Sequence, residues 1–328
     1  MRAVLFLLVG LLAVLVRAAE PPIVVSPQAT GVLRVTGNPE MVAIVARWAA
    51  VFQRNHAGVR IEAHLTGSDT GIAALSTARA DIALLGRAPT PSEVQAFEWI
   101  FRYKPAQVEI MTGSLDHPGH SPALVLFVRR DNPLAQLTLA QVDAIFGTEH
   151  RLLPANIRTW GQLGLTGAWA DKTIQLYGPD AMSGTGRFFR HVVLNDSRMI
   201  NWGAFTEFSD TEIPRVATHD AGRQILTALA ADRYGLAVAN LGFPQPGVRS
   251  LALDGILATQ DSLIARQYPL TRSVLAYFNR KPGASMDPLV GEFLRYILSA
   301  AGQQEVTRAG TYLPLTPKVA TEQARRLN

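Results

Sequence analysis

The feature that most constrains this chain is an alternation of short apolar runs with amphipathic stretches, joined by small polar turns, between Val32 and Leu85. Val32-Leu33-Arg34-Val35, the alternating run from Val59 to Leu65, and Asp81-Ile82-Ala83-Leu84-Leu85 read as strands. Between the first two, Met41, Ile44, Val45, Trp48, Val51 and Phe52 recur at helical spacing. Asn38-Pro39-Glu40 gives that helix a cap, an N1 proline and a first-turn carboxylate, and it is expected to end near Asn55. Thr66-Gly67-Ser68-Asp69-Thr70-Gly71 breaks the second strand and opens a helix from Ile72 to Ala78. Strand, helix, strand, helix, strand predicts a parallel α/β sheet, because parallel neighbours need a crossover of this length.

The alternation resumes beyond the Pro/His/Gly-rich stretch His117 to Pro122, with strands expected at Ala123–Val128, Ile174–Tyr177, Leu236–Ala239 and Val274–Phe278. Thr138 with Gln141 forms a capping box for a helix that stops at Gly147. Further helices are expected after Gly186, burying Phe188, Phe189, Val192 and Val193, and from Pro288 to Ala300. The polar residues from about Lys318 are expected to fray. A chain of 328 residues exceeds what one core usually serves, so two domains of roughly 150 residues are expected.

Composition narrows the chemistry. At 48% hydrophobic and 17% charged residues the chain is no disordered polymer. It has no cysteine, which removes disulfide scaffolds, thiolate metal sites and cysteine nucleophiles. The net charge of +5 comes from scattered residues, mostly arginine, and forms no basic stripe of the kind that nucleic acid needs. Met1-Arg2, the apolar run Ala3 to Val16 and the small-residue site at Ala18-Ala19 make residues 1–19 a secretory signal. The run is short of the roughly 20 residues that span a bilayer, with an uncleaved anchor as the alternative. A short strand is expected just after it at Ile23-Val24-Val25.

Three turns share one design, in which a strand ends, small polar and glycine residues follow, and a helix begins. They are Thr36-Gly37-Asn38, Gly67-Ser68-Asp69-Thr70-Gly71 and Ser183-Gly184-Thr185-Gly186. Each presents backbone N–H groups, hydroxyls and the positive end of a helix dipole. Converged at the carboxyl ends of strands, they would form a cage of neutral donors for an anion.

The spacing of these pieces resembles the type II periplasmic solute-binding proteins, in particular the phosphate-binding components of ABC importers. Gly67 to Gly71, then Ala80-Asp81-Ile82-Ala83 and Arg87-Ala88-Pro89, is similar to that family's second ligand segment. Asp131-Asn132-Pro133, Leu137 to Val142, Ile145-Phe146-Gly147 and Trp160 are similar to the start of its second lobe. Ser183-Gly184-Thr185 is similar to its third ligand segment, and Tyr234-Gly235-Leu236-Ala237, Tyr268 to Arg272, Leu298-Ser299, Gly302-Gln303 and Gly310 to Pro314 match its C-terminal pattern. The resemblance implies an α/β fold of two lobes with a ligand cleft between them, lobe 1 from residues 20–121 plus 262–328 and lobe 2 from 122–261. It implies ligand contacts at Gly37, Asn38, Ser68, Asp69, Gly86, Arg87, Ser183, Gly184, Thr185 and Arg187.

Three departures stand out. Pro179 occupies the place, four residues before Ser183, where the family usually carries an arginine. Gly86 stands where an aspartate or serine is usual, and Pro39 or Glu40 where a threonine or serine is usual. Arg187 or Arg87 would then have to supply the missing charge. The expected role is capture of phosphate or a related oxyanion in the periplasm for an ABC permease, by a monomer without cofactor, metal, catalytic residues or nucleic-acid partner. A binding-fold protein that has lost its anion and serves as sensor or scaffold is the alternative. An exported phosphate-ester hydrolase would need Ser183 to find a base such as His191 or His219, oriented by Asp196 or Asp220.

Overall fold

The computed structural model describes residues 30–213 and 218–328. The expected signal at residues 1–19 and the strand at Ile23-Val24-Val25 lie outside the described residues. Among the described residues, no helix is long and apolar enough to cross a membrane.

The chain first lays down β1 (Gly31–Gly37), α1 (Val42–Asn55), β2 (Val59–His64), α2 (Ser68–Ser76), β3 (Ile82–Leu85), α3 (Pro91–Phe101) and β4 (Ala106–Thr112). Asn38 accepts a hydrogen bond from the Glu40 N–H, and a single 3-10 turn at Pro39–Met41 leads into α1. That helix buries Ile44, Val45, Trp48 and Phe52, the face its spacing selects. α2 starts four residues before the expected Ile72, so Ser68 sits in its first turn with its N–H free of helical partners. α3 and β4 lie where no element was anticipated. Yet Thr90-Pro91-Ser92-Glu93 is a full capping box with proline at N1, a legible helix start.

Next come β5 (Val125–Arg129), β6 (Gln136–Leu137), α4 (Leu139–Phe146), β7 (Gln175–Pro179), α5 (Gly184–Val193), β8 (Phe205–Phe208), α6 (Ala221–Ala231), β9 (Gly235–Ala239), β10 (Val248–Ser250), β11 (Ala252–Leu253) and α7 (Gln260–Ile264). The Thr138–Gln141 capping box forms as expected at the start of α4. The chain then returns through β12 (Ser273–Phe278), α8 (Pro288–Leu298), α9 (Ala300–Ala309) and α10 (Pro317–Arg325).

Two five-stranded sheets result, ordered β2-β1-β3-β12-β4 and β10-β5-β9-β7-β8. Neither is purely parallel. β1 runs parallel to β2 and β3, but the returning β12 is antiparallel to both β3 and β4. Likewise β7 is parallel to β8 and β9, while β5 is antiparallel to β9 and β10. Each sheet has its own core, around Trp48, Phe52 and Phe293 in one and around Phe146, Trp160 and Leu236 in the other. Ala123 and Leu124 begin the second core. Leu263, Tyr268 and Leu270 pack in it, whereas Val274 packs in the first.

The C-terminus does not fray. Thr316 caps α10, Pro317 takes N1, and the helix packs on the first core through Ala320, Gln323 and the fully buried Leu327. Its polar composition hid a narrow inward face. Gln323 Oε1 accepts from the Glu109 N–H of β4 at 3.0 Å, tying the end of the chain to the sheet. Gln323→Ala is expected to cost about 1–3 kcal/mol by leaving that donor unpaired, read as a lowered urea midpoint at unchanged slope.

Candidate functional site

The carboxyl ends of β1, β2 and β7 carry the three turns, and the turns border the gap between the sheets, with Gly86 and Arg87 joining them from the end of β3. They border a cavity of about 300 Å³ lined by residues of both lobes. Of the expected contacts, Asn38, Ser68, Gly86, Arg87, Ser183, Gly184 and Thr185 line it; Gly37, Asp69 and Arg187 do not.

Gly37 is needed for the path of the backbone. Its φ is +137°, and a Cβ there would lie 1.9 Å from the Leu84 carbonyl oxygen. Its own carbonyl accepts from the Gly67 N–H at 2.9 Å, which joins the first turn to the second. Gly86 has a steric reason as well. A Cβ at Gly86 would fall 2.2 Å from Asn38 Nδ2, so the asparagine amide fills the space a side chain at 86 would use.

The hydroxyls differ in what they have left to give. Ser68 Oγ accepts from the Gly86 N–H at 3.2 Å, leaving its own proton to point into the cavity. Thr185 Oγ1 accepts from Arg272 Nη1 at 3.3 Å and also keeps its proton. Ser183 is spent on its helix, donating to the Asp180 carbonyl at 2.7 Å and accepting from the Gly186 N–H at 3.0 Å. It contributes the cap that aims the start of α5 at the cavity rather than a donor of its own.

Neither expected arginine is a free cation. Arg87 donates to both carboxylate oxygens of Glu93 at 2.8 Å, and to the exposed Asp69. Those pairs, Glu93 foremost, raise its pKa and neutralise its charge. Arg187 reaches across the cleft instead, its Nη2 donating to the Ala88 carbonyl at 2.7 Å. Burial lowers its pKa and the neighbouring Arg87 adds to the effect.

The cation of the cavity is Arg272, which sequence reasoning noticed only as part of a C-terminal pattern. Its side chain is buried, with 6% of the residue exposed. Nη2 donates to the Gly86 carbonyl at 2.9 Å, Nη1 to Thr185, and the guanidinium lies 5.3 Å from the centre of the Phe188 ring. No carboxylate among the described residues pairs with it, and burial pushes its pKa down to about 10, which leaves it charged at neutral pH. A buried, charged and unpaired arginine is expensive unless an anion joins it. The signal that could have found it is topological. β12 runs antiparallel to β3, with Leu275 opposite Leu85, so the residue just before β12 arrives beside Gly86.

Two sheet-and-helix lobes with a donor-lined cleft between them define a two-lobed solute-binding fold. The chain belongs to the PBP superfamily, whose domain matches residues 24–301. It is 32% identical over 323 residues to the phosphate-binding protein PstS of Pseudomonas aeruginosa, covering 95% of this chain and 93% of that one. Protein SphX of Synechococcus elongatus is 22% identical over 299 residues, 88% of this chain and 79% of its own. Among solved structures, PstS from Borrelia burgdorferi superposes with a TM-score of 0.58 at 16% identity, over 87% of this chain and 99% of that one. An ABC-type phosphate transport receptor from Vibrio cholerae gives 0.55 at 19% identity, over 86% and 99%.

The crowding at Gly86 is testable. Gly86→Ala must displace the Asn38 amide and is expected to cost about 1–3 kcal/mol. In an Asn38→Gly background, itself a mild change at a cap, the cost should fall by more than about 0.5 kcal/mol. A double-mutant cycle on urea unfolding measures the coupling.

Proposed function

We propose that this protein is the exported receptor of an ABC importer, taking up inorganic phosphate or a closely related oxyanion between its lobes and handing it to a permease. The observation that carries the reading is Arg272, a buried guanidinium without a carboxylate, in a cavity where Ser68 and Thr185 each keep a proton to donate. A guanidinium gives an oxyanion planar, charge-assisted hydrogen bonds, and neutral hydroxyls complete its shell without overcharging the site. The relatives named as phosphate-binding proteins support the choice of anion. Arg272 also answers the doubt raised by Pro179, because the charge enters from a different strand. Residues 1–19 would direct export, and the two-lobed reading with lobes exchanging twice belongs to the same proposal.

Hydrolysis has no support at this site. The Ser183 hydroxyl bonds the Asp180 carbonyl and no histidine, while His191 pairs with Asp196 at 3.0 Å on an exposed surface. Pro179 and Gly86 favour the second reading, a scaffold that no longer binds anions.

Calorimetry of the mature protein with inorganic phosphate separates the two. Heat at micromolar ligand is expected, and silence up to millimolar phosphate would establish the scaffold. Arg272→Met should weaken binding by about 1.5–3 kcal/mol, roughly 10- to 150-fold, while leaving the unliganded protein as stable or more so in urea. Ser68→Ala and Thr185→Ala should each weaken it by about 1–3 kcal/mol. Unchanged affinity in all three places the anion elsewhere.

A further inference from the structure

Among the described residues, polar contacts across the cleft include Arg187 to the Ala88 carbonyl, Arg272 to Thr185, and Glu40 to His219. The first two donors are arginines that stay charged at any physiological pH. The third contact joins a carboxylate to an imidazole, whose charge depends on pH. Glu40 belongs to the turn after β1 in lobe 1, and His219 to the segment before α6 in lobe 2. Glu40 Oε1 lies 3.0 Å from His219 Nε2, and on the other side of the ring Asp210 Oδ2 lies 3.8 Å from Nδ1. Gly119, at φ +80°, lets the ring in: a Cβ there would sit 2.6 Å from His219 Nε2 and 3.2 Å from the Glu40 carboxyl carbon. Asp210 is fixed in turn by the Ala221 N–H at 2.9 Å.

We propose that Glu40, His219 and Asp210 form a latch between the lobes, a protonated imidazole held between one carboxylate from each lobe, which biases the cleft towards closure and lets go as the imidazole loses its proton. Other charged groups near this cluster are His120, 3.8 Å from Glu40 Oε2, Asp220 next in sequence, and Asp180 and Arg272 on the same cavity. Asp220 is committed to Thr211 and Thr218, and Asp180 to the Met182 N–H and the Ser209 hydroxyl, so neither competes for the ring. Among the described residues no three histidine or acidic side chains could hold a metal ion, so charge pairing is what the cluster offers.

The direction of the pH effect follows from the two carboxylates. Asp210 first and Glu40 after it push the His219 pKa up to about 9 in the closed arrangement; Asp210 shares the lobe of His219, so parting the lobes removes only the part of the rise that Glu40 supplies. The latch is therefore complete while His219 is protonated in both arrangements and is lost as pH rises through about 9. All three side chains are partly exposed, so solvent screening limits its effect on ligand affinity to roughly three- to fivefold.

Regulation of phosphate capture by this latch rests on the function proposed above, so the test reads closure and affinity separately. Small-angle X-ray scattering of the unliganded protein should show the radius of gyration rising between pH 6 and pH 9.5, and no such rise in His219→Gln or Glu40→Gln. That measurement needs no ligand and stands even where phosphate fails to bind. Calorimetry with inorganic phosphate over the same range should show wild type binding three- to fivefold tighter than Glu40→Gln at pH 6, and equally at pH 9.5. The ionisation of phosphate itself is common to both proteins and cancels in the ratio. A radius of gyration that does not change with pH, or an affinity ratio that does not, overturns the latch.

Discussion

The cleft turns on a buried charge that no carboxylate among the described residues pairs with. A guanidinium buried without a carboxylate is stable only if its hydrogens find oxygen and its charge finds a counterion. Arg272 gets the first from the Gly86 carbonyl and Thr185 Oγ1, one group from each lobe, and a partial second from the face of Phe188. The remainder is left to whatever occupies the cavity. The same side chain thus bridges the lobes and, in the function proposed above, meets the guest. Small residues border the cavity for reasons of their own: a Cβ at Gly86 would meet the Asn38 amide, and one at Gly184 would lie 3.0 Å from Arg87 Cβ.

The other arginines are arranged so as not to compete. Arg87 sits at the cavity wall but is bound into the first turn of α3, where Glu93 serves both the arginine and the capping box with Thr90. Its role is to hold the β3–α3 loop against the cavity, and its charge is already spent. Arg187 fastens α5 to the opposite loop through a carbonyl. Among the described residues that line the cavity, Arg272 is the arginine without a carboxylate partner, set among neutral dipoles. That arrangement favours a guest whose charge is shared over several oxygens.

The elements that could be read from the sequence are those whose periodicity and punctuation agree. β1, α1, β2 and β3, the capping box of α4, and the Ser183 cap of α5 all follow from local pattern. α10 was hidden because it buries only a few side chains, two of them alanine and glutamine, in an otherwise polar run. The mixed direction of both sheets was hidden because strand direction is decided by contacts between distant segments, which no local period records. The site divides the same way. Ser68 and Thr185 were visible as hydroxyls at helix starts, a local property. Arg272 was not, because its relevance depends on β12 returning from far along the chain to lie antiparallel beside β3, with Leu275 opposite Leu85. Arg187 looked like the substitute for the charge missing at Pro179 because it is close in sequence, and proximity along the chain is a poor guide to which arginine a cleft contains.

Pro179 itself marks how the cleft can lose one cation and keep its geometry. It ends β7 opposite Phe208 of β8, and the next residue continues the ladder by donating its N–H to the Phe208 carbonyl at 2.8 Å. A proline without a donor is tolerated there because the position ends its strand, and its rigid φ helps set the path into the Ser183 cap. The charge that this path does not carry comes from the other lobe's strand. In the proposed function, a cation just before β12 couples recognition to closure in a way that a cation on the β7–α5 turn would not. Arg272 can satisfy Gly86 in one lobe and Thr185 in the other only when the two approach. Contacts of this size, each about 1 kcal/mol net, favour closure without enforcing it. A receptor that must open to load and release needs that balance, with the ligand's differential affinity for the closed arrangement deciding the population.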